Sequence, residues 1–190
     1  MKDLYGVVSG RFQPLHIGHM EYILEGLNFC DHLIVGVTNP DPSLTSKHQS
    51  NPERSMPNAN PYTYWERKLM IERSLTERGV SLGNFSVVPC PISYPELIKY
   101  YLPKDPLVLI TKYDEWGEHK HNLFSGLGYR VLVMWKRNLS DKVTTGTYIR
   151  NSIIAKDNNW KKFVPNAVHQ IINELSLQKI YNKNLTYFTI

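Results

Sequence analysis

Cysteine is nearly absent from this 190-residue chain, which holds only Cys30 and Cys90. Two cysteines so far apart exclude a disulfide framework and a cysteine-based metal site, and both are expected as small buried residues. No apolar run approaches the roughly 20 residues that a membrane-spanning helix needs. The first residues lack the long apolar core of a secretory leader, so a cytoplasmic setting with no membrane contact is expected. Runs of basic residues never exceed two, and the formal net charge is only +5. That excludes a compact polybasic arm. No basic stripe with interleaved aromatics points to nucleic acid either. Internal repeats and low-complexity tracts are also missing.

What is present is an alternation of short apolar runs and helical faces. Apolar residues make up 42% of the chain, as in ordinary globular proteins. Leu4–Val8, His32–Thr38, Phe85–Val88, Leu107–Thr111 and Arg130–Trp135 read as buried strands. Between the first two, Ile17, Met20, Ile23, Leu24 and Leu27 recur at helical steps. Thr63 and Glu66 form a capping box before a helix that runs to about Arg78. Further helices are expected over Pro95–Tyr101, Trp116–Leu127, Thr147–Ala155 and Pro165–Leu175. The pattern predicts a doubly wound, Rossmann-like α/β domain: a five-stranded parallel sheet, helices on both faces and helices at the C-terminal end. One domain spans residues 1–175, with a weakly patterned tail over 176–190. Residues 39–62, rich in Pro, Asn and Ser, are expected as a long mobile loop.

In such sheets ligands bind beyond the C-terminal ends of the strands. The first strand leaves through GRFQPLHIGH, Gly10–His19. Gly10 permits a tight turn, Gly18 a close approach to backbone, and Arg11 supplies a cation. His16 and His19 stand three apart at a helix start, where free amide groups suit a phosphate. A second stretch, TTGTYIRNSI (Thr144–Ile153), follows the fifth strand. Hydroxyls, a bend at Gly146, an N-cap at Thr147 and Arg150 in the first turn again describe a phosphate cradle.

Together, H-x-G-H at His16–His19 and TGTYIR at Thr145–Arg150 resemble the signatures of the nucleotidylyltransferase superfamily. Within it the chain is most similar to the archaeal-type nicotinamide mononucleotide (NMN) adenylyltransferases. NPYTYWERKLMIERSL (Asn60–Leu75) and WKKFVPNAV (Trp160–Val168) carry that likeness. The resemblance implies direct transfer of AMP from ATP to a phosphate acceptor, NMN first, giving NAD and pyrophosphate, with Mg²⁺ bound through the triphosphate rather than by protein ligands. It implies His16, His19 and Arg150 as catalytic residues. It implies Gly10, Arg11, Phe12, Gln13, Gly18, Arg137, Thr145, Gly146, Thr147 and Ile149 as nucleotide-binding, with Lys142 a rival to Arg137. Members of this kind are often oligomeric, so a homo-oligomer is implied by analogy.

The acceptor segments depart from that group. Pro89–Tyr101 has neither the Asp nor the Trp that would contact nicotinamide, and leaves Tyr94 as an aromatic candidate. A Ser/Gly-Asn-Pro-Leu-Val type turn is replaced by TKYDEWGEHKHNLF, Thr111–Phe124. Lys112, Tyr113, Asp114 and Trp116 there are candidates for acceptor binding, although Asp114 and Glu115 also suit a plain helix start. A cytidylyltransferase or adenylyltransferase acting on another small phosphate or phosphonate, with CTP or ATP, is the alternative. A non-catalytic nucleotide-binding module would show degraded phosphate ligands, whereas His16, His19, Thr147 and Arg150 are all in place.

Overall fold

The computed structural model describes residues 2–46 and 52–186. Five strands, β1 (Asp3–Gly10), β2 (Cys30–Val37), β3 (Phe85–Pro89), β4 (Leu107–Lys112) and β5 (Arg130–Lys136), form one sheet in the order β3-β2-β1-β4-β5. Every pairing is parallel. The helices are α1 (Ile17–Gly26), α2 (Tyr64–Glu77), α3 (Glu115–Gly126), α4 (Gly146–Ile154) and α5 (Asn166–Thr186).

The two-residue period of the strands divides the core into two layers. Val8, Leu33, Val35, Val87 and Leu109 face a cluster with Ile23 of α1, Ile71 of α2, Ile149 of α4 and Val168 of α5. Their neighbours Val7, Ile34, Val108 and Ile110 face the other side, against Phe124 of α3 and Ile98. Helices therefore cover both faces, as the alternation of elements requires. Cys30 and Cys90 are free and buried.

Three local differences from the sequence reading have physical causes. The segment Pro95–Tyr100 is a 3-10 helix, since a stretch closed so soon by Pro103 is too short to propagate an α-helix. Helix α5 continues to Thr186, because no Gly or Pro after Leu175 interrupts it. The described part of the 39–62 segment is organised rather than irregular. It holds short 3-10 helices at Pro42–Leu44, Pro52–Ser55 and Pro57–Ala59, each opened by proline.

That segment is secured by one buried residue. Arg67 of α2 is 1% exposed, and no carboxylate pairs with it among the described residues. Its Nε donates to Thr63 O (3.1 Å), Nη1 to Arg11 O (2.9 Å) and Thr38 O (2.8 Å), and Nη2 to Asn39 O (2.8 Å) and Pro40 O (3.2 Å). All the N–H groups of the guanidinium thus meet carbonyls. Burial lowers its pKa to about 10, so it stays charged at neutral pH. The expected capping box is present, with Thr63 Oγ1 accepting from Glu66 N and Glu66 Oε2 from Thr63 N. Four of these five carbonyls lie just past the ends of β1 and β2, so Arg67 ties together the chain segments that leave those two strands.

Lysine cannot reproduce this fork. Arg67→Lys is expected to lower unfolding free energy by about 3 kcal/mol, read as an earlier midpoint in urea denaturation. An unchanged midpoint would show that the carbonyls are held by other means.

Candidate active site

Strands β1 and β4 are neighbours where the sheet order reverses, and they part early. They pair only through Gly6↔Leu107 and Val7↔Val108, whereas β1 stays paired with β2 as far as Gly10↔Val37. Beyond Val7 side chains replace the ladder. The Tyr22 hydroxyl donates to Leu109 O (2.5 Å) and accepts from Ser9 N (3.3 Å). Lys120 of α3 donates from Nζ to Ser9 O (3.2 Å). A cleft of about 750 Å³ opens above this gap, at the C-terminal ends of the strands. A smaller cavity of about 180 Å³ adjoins it and shares Arg11, Thr38, Arg54 and Trp116.

The GRFQPLHIGH turn forms one wall. His16 is the N-cap of α1, and its Nδ1 accepts from His19 N (3.3 Å). The two imidazoles stack with centroids 3.6 Å apart. Gly10 does not itself take a left-handed conformation, as a tight turn would need. Phe12 does (φ 51), and its ring stands 2.8 Å from where a β-carbon on Gly10 would be. The buried Phe12 ring then meets His19 edge-on at 4.9 Å. Gly10 is therefore needed for close approach, and Phe12 acts as the spacer behind the histidines. Gly18 and Gln13 also line the cleft.

Helix α4 forms the opposite wall. Its N-cap is Thr145, which accepts from Tyr148 N (3.1 Å), so the cap lies two residues before the expected Thr147. Thr147 instead accepts from Arg150 Nη2 (3.2 Å), while Arg150 Nη1 donates to Gln13 O (2.7 Å). A β-carbon at Gly146 would stand 2.7 Å from Gln13 O, so only glycine lets α4 seat against the first turn. The two signature stretches thus interlock through Gln13.

Charge is concentrated here with few opposing groups. Arg11 donates to Arg54 O (3.0 Å) and Ala59 O (3.3 Å), and its pKa falls to about 9 through burial and then through Arg54, Arg150 and Arg67. Burial, with a smaller push from Lys142, lowers His16 to about 3. His19 is also held well below its usual value, by burial first and then by His16, Arg11, Lys120 and Arg54. Both imidazoles are therefore neutral in the ligand-free protein. Four of the five buried side-chain atoms without a hydrogen-bond partner among the described residues are Ser9 Oγ, Arg11 Nε, His19 Nδ1 and Thr144 Oγ1, and all four residues line the large cleft. Such a set of orphaned groups beside converging cations fits a polyanion that is itself rich in hydrogen-bonding oxygens.

Several sequence candidates lie elsewhere. Arg137 is outside the cleft lining; it donates to Glu21 (2.8 Å) and lies over the Trp135 ring, because the exposed end of β5 turns it away. Its rival Lys142 does line the cleft, bonded to Asp114 Oδ2 (3.1 Å). Ile149 is fully buried and positions α4 from the core. Lys112 turns to Glu118 (2.7 Å), and Tyr94 lines neither cavity although Ser93 and Pro95 line the smaller one. Asp114 unites both of its expected roles, capping α3 through Gly117 N (3.2 Å) while facing the cleft. Tyr113 and Trp116 line it too, Trp116 with the Arg54 guanidinium 4.5 Å above its ring.

Arg54 and Lys120 escaped the sequence reading. Arg54 lies in the proline-rich segment, where no periodicity marks it. Lys120 follows Trp116 by four residues, one helical turn, and that spacing was the available signal. Among the described residues no three His, Cys, Asp or Glu side chains converge as a metal site. No helix of the described chain is long and apolar enough to cross a membrane.

The depressed histidine pKa values have a consequence for stability. Unfolded, His16 titrates near 6.5; folded, it titrates near 3. The unfolded chain therefore takes up protons first, and stability is lost as pH falls from about 6.5 towards 3, by at most ~1.4 kcal/mol per pH unit for each such group. Thermal melts between pH 7 and pH 4 should show this slope, and His16→Asn should flatten it. An unaltered slope in the variant would mean that His16 is not held neutral.

Residues 7–151 match the family described as cytidylyltransferase-like. The chain is 45% identical over 174 residues to a phosphonoformate cytidylyltransferase of Streptomyces viridochromogenes, covering 92% of this chain and 93% of that protein. It is 34% identical over 180 residues to a nicotinamide-nucleotide adenylyltransferase of Picrophilus torridus, covering 88% and 89%. Among solved structures, a bifunctional NMN adenylyltransferase/ADP ribose pyrophosphatase from Francisella tularensis shares the fold with a TM-score of 0.60 at 16% identity. The match covers 98% of this chain but only 57% of that longer one. With its H-x-G-H and TGTYIR turns facing one cleft on a parallel sheet, this chain belongs to the cytidylyltransferase-like family of nucleotidyltransferases.

Proposed function

We propose that this nucleotidyltransferase moves a cytidylyl group from CTP to a small phosphonate or phosphate acceptor, releasing pyrophosphate. The observation that carries this reading is the 45% identity to the phosphonoformate cytidylyltransferase across nearly the whole of both chains. The geometry supports it. The small cavity is lined by Ile92, Ser93 and Pro95 from one departing segment and by Trp116, His119 and Leu123 from the other. Its volume of about 180 Å³ and its arginines Arg11 and Arg54 suit a compact anion.

The second reading, adenylyl transfer from ATP to NMN, rests on relatives such as the Picrophilus torridus enzyme. Part of that likeness, however, resides in scaffold. In Asn60–Leu75, Glu66 completes the capping box and Arg67 ties down the strand ends, so these residues say little about the acceptor.

In either case an ionised acceptor oxygen attacks the α-phosphorus. One P–O bond forms there, the bond to the β-phosphate breaks, and pyrophosphate carries off the electron pair. No protein nucleophile is needed, so positioning and charge stabilisation make up the catalysis. His16 and His19 donate hydrogen bonds to the triphosphate, Arg11 adds charge, and Arg150 with Thr145, Thr147 and the α4 N-terminus holds the β- and γ-phosphates. Mg²⁺ bound to the triphosphate would neutralise charge on the leaving group. A cytoplasmic setting agrees with two buried free thiols and with the supply of nucleoside triphosphate.

Pyrophosphate release, measured with CTP or ATP against phosphonoformate, other small phosphonates and NMN, tests the assignment. Release with CTP and a phosphonate is expected. Release only with ATP and NMN would establish the second reading, and none with any pair would remove both. His19→Ala should lower kcat by about 10²–10³ while the melting profile is retained.

A further inference from the structure

Lys120 lies at the floor of the cleft, in the gap between β1 and β4. The residue is only 7% exposed, and its Nζ donates to Ser9 O at 3.2 Å. An ammonium has three N–H groups, so this bond leaves donors to spare. Lys142 is paired with Asp114, Lys112 with Glu118 and Arg137 with Glu21, whereas Arg11, Arg54 and Arg150 make no ion pair among the described residues. Lys120 makes no ion pair among the described residues. Burying an ammonium without a counter-charge works against stability, and the bond to Ser9 O offsets only part of that cost. A buried cation with donors to spare suits an anion that arrives with the substrate.

The position identifies which anion. From α1, Lys120 is faced by His19 and by the Tyr22 ring, with Nζ 5.7 Å from the ring centroid. Arg54 faces it from the 39–62 segment, Cys90 from beyond β3, Asp114 from the start of α3 and Lys142 from the approach to α4. It lines the large cleft together with the histidine pair, which meets the triphosphate, and with Arg54, which also lines the small cavity. We infer that Lys120 binds the attacking phosphonate or phosphate group of the acceptor and sets its oxygen in line with the α-phosphorus of the nucleotide. This rests on the transfer reaction proposed above and assigns a residue to its junction. The ammonium keeps its proton throughout: the acceptor oxygen arrives ionised, and pyrophosphate leaves with the bonding pair.

Burial, followed by Arg54, lowers the Lys120 pKa to about 8. The free protein then loses this cation as pH rises through about 8, and kcat/KM for the acceptor falls along the same limb. Tyr22 and Cys90 titrate too high to produce it, and Arg11, at about 9, contributes only a later limb.

Lys120→Met and Lys120→Arg test the assignment, with wild type first shown to release pyrophosphate from CTP and phosphonoformate or, failing that, from ATP and NMN. For Lys120→Met we expect acceptor KM to rise about tenfold or more and kcat to fall about 10²-fold. Nucleotide affinity, measured by calorimetry, should stay within about threefold, and Lys120→Arg, which can still donate to Ser9 O, should keep the wild-type melting temperature. Lys120→Arg should move the alkaline limb upward from about 8, since arginine keeps its charge. An unchanged acceptor KM, or an alkaline limb still near 8 in both variants, overturns the inference. A parallel loss of nucleotide affinity overturns it too, by making Lys120 a triphosphate ligand. If wild type releases no pyrophosphate with any pair, the transfer reading itself fails and the inference falls with it.

Discussion

The parting of β1 from β4 after Val7 is the constraint on which the rest depends. A parallel sheet that ran fully paired to its edge would leave no gap at the reversal of strand order. Here the backbone groups released by the parting are met by Tyr22 and Lys120. Both come from helices, on opposite faces of the sheet. The gap is thereby kept open yet hydrogen-bonded, and α1 and α4 bring their N-termini to its rim. Cationic side chains can gather there because the sheet interior behind them is already satisfied.

Two kinds of arginine serve this architecture. Arg67 spends every donor on carbonyls of its own chain and faces no ligand. Arg11 is incompletely satisfied: its Nε is buried and unpaired, and neighbouring cations depress its pKa. The first lends rigidity to the strand ends; the second is held in an unfavourable state, buried among other cations. Placing them side by side lets stability gained in the scaffold offset strain at the site.

Much of this was legible in the sequence. Strand alternation, the α1 face and the Thr63–Glu66 box each follow from local rules, and each element stands where those rules put it. Local rules fail where tertiary contact decides. Thr145 and Thr147 are both plausible caps by type; the approach of Gly146 to Gln13 O selects Thr145. Arg137 and Lys142 are equivalent as basic residues after β5, and the direction in which the chain leaves the strand separates them. Lys120 reads as an ordinary polar position of an amphipathic helix until the sheet beneath it is seen to open.

The 39–62 segment has fixed ends. Arg67 holds Asn39 O and Pro40 O, while the Gln13 side chain donates to Tyr62 O (2.8 Å) and accepts from Tyr62 N (3.0 Å). Between such anchors the entropic cost of added length grows only logarithmically, about 0.6 kcal/mol for each doubling. Changes of length there reshape the wall that carries Arg54 while Arg67 keeps hold of the chain leaving β1 and β2. The fold thus lets this span change in length without first unmaking the sheet edge on which the cleft is built.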